Sequence, residues 1–235
     1  MIGVVRRIYP SDEGGEADLE ALYGADRPAV DGRPWVGMCM IASVDGSTAV
    51  GGLSGGLGND NDRAVFAALR AAADVILVGA KTAVAERYRS TGRPGQRIGV
   101  VTASGQVDPT TDLFSSGCGF LVLPEDGPES PRDVDSVRAG RGSVDLAAAV
   151  GRLTDLVPTA RFVQAEGGPR LNGALLDAGC VDELDLTIAP GLVGGDSSRI
   201  VAGASESLRS LRLVHVVADG DGYLFTRWVR PGRAC

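Results

Sequence analysis

The chain has 235 residues, with 23 Lys and Arg against 30 Asp and Glu, for a formal net charge of −7. That length suits one large α/β domain, or at most two small ones, with a core that needs no metal or disulfide staple, and the acidic balance argues against a nucleic-acid or anionic-membrane partner, which would reward a basic face. The 34 glycines, about twice the ordinary share, imply many sharp turns or close backbone approaches of the kind nucleotide sites require.

Residues 1–33 are polar and acidic apart from the apolar piece Val4–Tyr9, and they read as a lead-in packed on the surface with a helical turn at Asp18–Tyr23. Trp35–Ala42 is a nearly continuous apolar run of strand length, as expected for a strand buried on both faces. A glycine-rich loop follows over Gly51–Gly58, and then Val65, Phe66 and Leu69 give Asp62–Ala73 helical spacing. Val75–Gly79 is a second buried strand and Lys81–Glu86 a short helix. Ile98–Thr102 and Gly119–Leu123 are further strands, with a polar loop across Pro124–Gly142. Asp145–Leu156 is amphipathic and opens after Ser143, a good N-cap.

Arg161–Ala165 is the next strand, and the helix Pro169–Ala178 after it stops at Gly179, which suits a C-cap position. Glu183–Ala189, Leu211–Ala218 and Tyr223–Val229 are strands without helices between them, the last two joined by the hairpin signal Asp219-Gly220-Asp221-Gly222. The chain therefore alternates β and α for most of its length and ends in an antiparallel hairpin, with a frayed tail over Pro231–Cys235.

The cysteines Cys39, Cys118, Cys180 and Cys235 are far apart and lack zinc or redox spacing, so free thiols in a reducing cytoplasm are expected. No apolar run approaches the ~20 residues of a membrane span, and the start does not read as a signal peptide. A single histidine, His215, removes most Ser-His, Cys-His and multi-histidine metal mechanisms, and no metal is expected.

The strongest local site is the run Gln164–Gly173, where a buried strand ends, Gly167 and Gly168 turn the chain and Pro169 starts a helix. Bare amides at such a junction hold a pyrophosphate; the same string also makes a plain strand-to-helix turn. A second junction of this design is Val78-Gly79-Ala80-Lys81-Thr82. Neither matches the dinucleotide fingerprint or a P-loop, which disfavours both of those enzyme types. Asp45, at the end of the first buried strand, either lines the cleft or caps its own turn. From Glu86 to Arg97 the net charge is +3, through Arg87, Arg89, Arg93 and Arg97, a reversal suited to a phosphate or to a solvated loop. Arg63 and Arg70 share one helix face, so one of them can reach the cleft.

With these residues assembled, the chain resembles the pyrimidine reductases of riboflavin biosynthesis, which share the dihydrofolate-reductase fold. The resemblance rests on Ser43-Val44-Asp45-Gly46, Ser54, Ala68-Leu69-Arg70-Ala71, Asp74–Thr82, Glu166-Gly167-Gly168-Pro169, Val181–Leu184 and Ala189–Gly195, and it covers about residues 33–230. It implies an α/β fold with a mostly parallel central sheet, flanking helices and a C-terminal antiparallel hairpin, the reductase domain running over 34–230. It also implies NADPH-dependent reduction of a ribosylaminopyrimidine 5′-phosphate to the ribitylamino form, with hydride passing from nicotinamide C4 to ribosyl C1′, and a homodimer. Dihydrofolate or another heterocycle as substrate, or a non-catalytic NADPH-binding role, are the alternatives.

By position, Ser54, Arg70 and Glu166 match substrate contacts, and Ile41, Gly56, Thr82, Glu86 and Gly168–Ala174 match cofactor contacts, that stretch comprising Gly168, Pro169, Arg170, Leu171, Asn172, Gly173 and Ala174. Gly79, Thr102 and Gly167 join the expected cofactor set, and Asp45 and Glu166 are the expected catalytic groups. The chain departs from the family at Ser47, where many members have Lys or Arg, and at Glu86, where they usually have Asp. The deaminase domain of many bacterial members, with its zinc signature, is absent from this sequence.

Overall fold

The computed structural model describes residues 3–10, 15–28, 30 and 32–232, so the expected frayed tail falls, at 233–235, outside the described residues. In chain order the elements are β1 (Val5–Tyr9), β2 (Gly15–Glu16), α1 (Leu19–Gly24), β3 (Trp35–Ser43), α2 (Asp60–Ala72), β4 (Val75–Gly79), α3 (Ala80–Ala85), β5 (Arg97–Val101) and α4 (Asp112–Ser115). They continue with β6 (Gly119–Leu123), β7 (Ser136–Arg138), α5 (Leu146–Leu156), β8 (Phe162–Ala165), α6 (Pro169–Asp177), β9 (Glu183–Ala189), β10 (Arg212–Asp219) and β11 (Leu224–Val229).

All strands join one sheet in the order β2-β1-β10-β11-β9-β3-β8-β4-β5-β6-β7. From β9 to β7 neighbours run parallel, and from β2 to β9 they run antiparallel. The expected α/β architecture with a C-terminal hairpin is therefore the one observed. The parallel strands read as apolar runs because both faces are covered. Along β4, Val75 and Leu77 face α5 and α6, whereas Ile76 and Val78 face α3 and α4. Glycine in β5 has a packing cause: a Cβ on Gly99 would lie 2.6 Å from Phe120 and 2.7 Å from Leu77.

The lead-in is more than a surface wrap. β1 adds to the sheet edge by pairing with β10, and α1, capped by the Asp18 carboxylate, packs on α2. Leu19 and Tyr23 of α1 enter the core with Trp35, Leu69 and Phe225. From the end of this segment Arg27 reaches Glu183 of β9, Nη2 to Oε1 at 2.7 Å, where Trp35 Nε1 and Arg227 Nη2 also donate to Oε2 at 2.9 Å. Burial works against charge on Glu183, but the two arginines outweigh it and hold the carboxyl down at about 2.

Three local expectations are corrected. Asp145 caps α5 by accepting from the Ala148 amide at 3.0 Å, so Ser143 is not the cap. The polar stretch 124–142 contains β7, a three-residue edge strand too short to leave a period in the sequence. α2 begins two residues before its expected start, with Asn59 as its cap.

Candidate functional site

Because β3, β8 and β4 are parallel neighbours, their carboxyl ends share one rim. There the glycine-rich loop after β3, the first turns of α2, the end of α3 and the start of α6 enclose a cavity of about 400 Å³. Among the expected residues, Ile41, Ser54, Thr82, Glu86, Glu166, Gly168 and Pro169 line it. Cys39, Thr48, Asp62, Arg63, Phe66 and Tyr88 also line it, and the sequence reading assigned none of these a place there except Arg63, as one of two candidates.

Glu166 is fixed at the end of β8, its amide bonded to the Leu77 carbonyl at 2.9 Å. Its carboxylate takes Arg70 Nε at 2.7 Å and Nη2 at 2.6 Å, and it also accepts from the Tyr88 hydroxyl. Arg70 lies between two rings, 4.4 Å from the centre of Phe66 and 5.2 Å from that of Tyr88. Burial disfavours the charge on Arg70, but Glu166 more than compensates and its pKa is raised. Burial, reinforced by the Glu166 charge, pushes the Tyr88 phenol well above its ordinary value. Arg70 thus reaches the site through Glu166, standing behind the cavity wall.

The junction after β8 has the shape its sequence suggests. The Gly167–Gly168 peptide is cis, Gly167 has φ +78°, and Pro169 opens α6 with no side chain capping the helix. A Cβ on Gly168 would lie 2.7 Å from Thr82 Oγ1, so the rim between α3 and α6 is bare backbone with no room for a side chain. A nicotinamide dinucleotide fits such a cradle: uncapped amides and the positive end of α6 suit its linking phosphates. At the mouth, the Glu86 carboxylate accepts from the Ser54 amide at 3.1 Å and its hydroxyl at 2.9 Å, tying the glycine loop to the end of α3.

Several expected site residues lie elsewhere. Asp45 is exposed and does not line the cavity; its carboxylate accepts from the Ser43 hydroxyl and from the amides of Gly194 at 2.8 Å and Val193 at 3.2 Å. The Ser43 hydroxyl, followed by those amides, holds its pKa at about 2. The 193–194 backbone that it holds is not its own turn, so this bonding matches neither sequence reading, turn cap or cleft group.

The Gly79 amide is spent on the Gly167 carbonyl at 2.7 Å, so Gly79 braces the junction rather than offering a donor. Thr102, buried at the end of β5, accepts from the Gly105 amide at 3.2 Å and is not part of the cavity wall. Gly56 packs on Val50. Past Pro169, helical rotation turns α6 away from the cavity. Leu171 joins the core, Asn172 donates to the Ile200 carbonyl at 2.9 Å, and Gly173 abuts Ala202, while Arg170 and Ala174 are exposed.

Among the loop arginines, Arg93 donates to the Arg70 and Ala71 carbonyls at the end of α2, and Arg97 binds Asp135 at 2.8 Å. Arg87 and Arg89 are exposed on either side of Tyr88. Ser47, at the position of the family's Lys or Arg, is buried and donates to the Ala49 carbonyl at 3.0 Å. Among the described residues no cluster of metal-ligating side chains occurs, Cys39, Cys118 and Cys180 are free, and no helix is long and apolar enough to cross a membrane.

Comparison with known proteins gives this geometry its relatives. The family described as the RibD C-terminal domain matches residues 34–225. A 2,5-diamino-6-ribosylamino-4(3H)-pyrimidinone 5′-phosphate reductase of Methanothermobacter thermautotrophicus is 29% identical over 198 residues, covering 77% of this chain and 90% of that protein. The riboflavin biosynthesis protein RibD of Escherichia coli is 30% identical over 188 residues, and the match spans 71% of this chain but 51% of that longer protein. Among solved structures, a pyrimidine reductase-like protein from Corynebacterium diphtheriae has a TM-score of 0.76 at 24% identity, covering 91% of this chain and 98% of that one, a likeness of fold.

Proposed function

The chain belongs to the RibD C-terminal domain family, and from that premise we propose that it is an NADPH-dependent oxidoreductase reducing a ribosylaminopyrimidine 5′-phosphate to its ribitylamino form in riboflavin biosynthesis. The observation that carries this reading is the bare glycine rim at Gly168, which stands over the same cavity as the Arg70–Glu166 pair. Gly168, Pro169, Thr82 and Ile41 would hold the cofactor, which supplies a hydride when bound. Glu166, kept rigid by Arg70 and Tyr88, orients the substrate's polar edge, and Phe66 gives its ring an apolar wall. Among the described residues Arg87 and Arg89 have no structural bond of the kind that occupies Arg93 and Arg97, so they are the loop arginines proposed to meet a phosphate. Thr102 and Ser104 follow the carboxyl end of β5, the parallel neighbour of β4, and would meet the 2′-phosphate that distinguishes NADPH from NADH.

A second reading, reduction of an unphosphorylated heterocycle such as a dihydropterin, is favoured by the shortage of cations in the cavity. Asp62, Glu86 and Glu166 line it, among the described residues Arg63 alone opposes them on the wall, and Ser47 replaces the family's cation. A homodimer working in the cytoplasm completes the proposal, supported by the exposed apolar Val44, Leu192 and Val193 and by the free thiols.

The test follows loss of reduced-nicotinamide absorbance with the deaminated and undeaminated pyrimidine phosphates and with dihydrofolate. Turnover of either pyrimidine, faster with NADPH than with NADH, is expected. Turnover of dihydrofolate alone establishes the second reading, and no turnover of any substrate overturns both.

A further inference from the structure

Reduction of a C=N bond consumes a hydride at carbon and a proton at nitrogen, so a cleft closed to bulk water needs a proton donor of its own. Five acidic side chains line this one: Cys39, Asp62, Glu86, Tyr88 and Glu166. Glu86 is taken up by Ser54 at the mouth. Glu166 has both oxygens on Arg70, and Tyr88 is spent on Glu166. Burial pushes the Cys39 thiol far above its ordinary value, which makes it a poor acid.

Asp62 differs from the other four. It sits in the first turn of α2, one turn before Phe66, and among the described residues no ion pair reaches it, since the neighbouring Arg63 pairs with Asp60 instead. Its carboxylate tucks beneath the end of the glycine loop, where a Cβ on Gly58 would lie 2.5 Å from Oδ2. The loop can pass over the carboxylate only because residue 58 has no side chain.

Resting on the proposed function, we propose that Asp62 is the catalytic residue that protonates the substrate nitrogen during reduction. In the ring-opened imine the C1′–H bond forms as hydride arrives, the C=N π bond breaks toward nitrogen, and the Asp62 carboxylic acid gives its proton to that nitrogen. Two electrons pass from the nicotinamide to the substrate, and the Asp62 carboxylate takes a new proton from water at the cleft mouth.

The surroundings shift the carboxyl toward its protonated form. Burial raises the Asp62 pKa, and a hydrogen bond from Thr187 together with the Arg63 charge opposes that rise only in part. The groups facing it are Thr187 on β9, Cys39 on β3, Tyr223 at the β10–β11 hairpin and Arg63 on its own helix. Of these only Arg63 is charged at neutral pH.

The experiment compares wild type with D62N, which keeps the shape of the side chain and leaves the Asn59 cap of α2 in place. D62N should lose roughly 100-fold in kcat while NADPH affinity and melting temperature hold. The decline of wild-type kcat with rising pH should flatten in D62N. Independently of turnover, the Asp62 carboxyl carbon in the ¹³C NMR spectrum of the free protein, assigned by its disappearance in D62N, should titrate above the ordinary aspartate value. A wild-type chain that leaves both pyrimidines unreduced overturns the proposed function and this role with it. Reduction by wild type with D62N within twofold, or an Asp62 carboxyl titrating at or below the ordinary value, overturns the role of Asp62 alone.

Discussion

Arg70 and Glu166 meet as a two-pronged ion pair between α2 and the end of β8, with Nε to Oε1 at 2.7 Å and Nη2 to Oε2 at 2.6 Å. The glutamate side chain is almost fully buried, so its partner cannot be removed without stranding a charge. R70A should therefore lose about 3 kcal/mol of stability, whereas E166Q, which removes the charge itself, should lose less than half of that. The R70A/E166Q double variant should cost clearly less than the sum of the singles, and urea unfolding of all four proteins measures that coupling. Additive losses would mean that the pair contributes no mutual stabilisation.

At the glycine rim the expectation concerns binding rather than folding. G168A places a methyl where Thr82 Oγ1 lies 2.7 Å away, so part of its effect is a clash inside the protein. Adding T82A relieves the clash but leaves the methyl on the rim. Both G168A and G168A/T82A should bind NADPH at least about tenfold more weakly, while the double variant regains the wild-type melting temperature. Fluorescence titration with NADPH separates the two effects, and full recovery of affinity in the double variant would remove the rim from the cofactor site.

For Asp45 the hydrogen bonds to the 193–194 backbone set the expectation. D45A should leave kcat within about fivefold of wild type, well short of the loss that follows removal of a group acting on the substrate. It should raise amide exchange at Val193 and Gly194, whose donors lose their acceptor. With its pKa near 2, the carboxylate keeps these bonds down to strongly acid pH. A hundredfold fall in kcat would return Asp45 to the catalytic set.

His215 gives the fold a dependence on acid. Its imidazole is buried edge-on against Tyr23, with ring centres 5.0 Å apart. Burial first, then the charges of Arg227 and Arg7, push its pKa down to about 4 from an ordinary 6.5. The unfolded chain binds a proton across that interval and the folded one does not, so stability is complete above about pH 6.5 and falls as pH drops toward 4. The contribution at stake is roughly 3 kcal/mol. Denaturant melts of wild type and H215F at several pH values should show a slope in that window that the variant largely lacks.

Much of this architecture is legible from the sequence wherever local pattern and tertiary environment agree. β4 and β6 begin and end where their apolar runs do, because parallel strands covered on both faces need continuous hydrophobicity, while β9 keeps its expected bounds with Glu183, Asp185 and Thr187 alternating with apolar residues. The Gly167-Gly168-Pro169 junction is legible for the same kind of reason, since its chemistry is local. What is not legible depends on partners distant in the chain. Tyr88 reads as a loop residue between two arginines until the fold sets its hydroxyl on Glu166, and Arg93 reads as a solvated loop residue or a phosphate ligand until it caps α2. Asp45 has two equal readings in the sequence, and its bonds to the 193–194 backbone match neither, because that partner is distant in the chain.

The contact of Arg27 with Glu183 also bears on where this protein can be cut. The family match begins at residue 34, yet the guanidinium that neutralises a fully buried carboxylate of the sheet lies seven positions earlier. A recombinant fragment that begins at residue 34 and keeps the rest of the chain would discard that counter-ion and uncover the hydrogen-bonding flank of β10. Such a fragment should aggregate on expression, so the physical folding unit starts upstream of the boundary that homology draws.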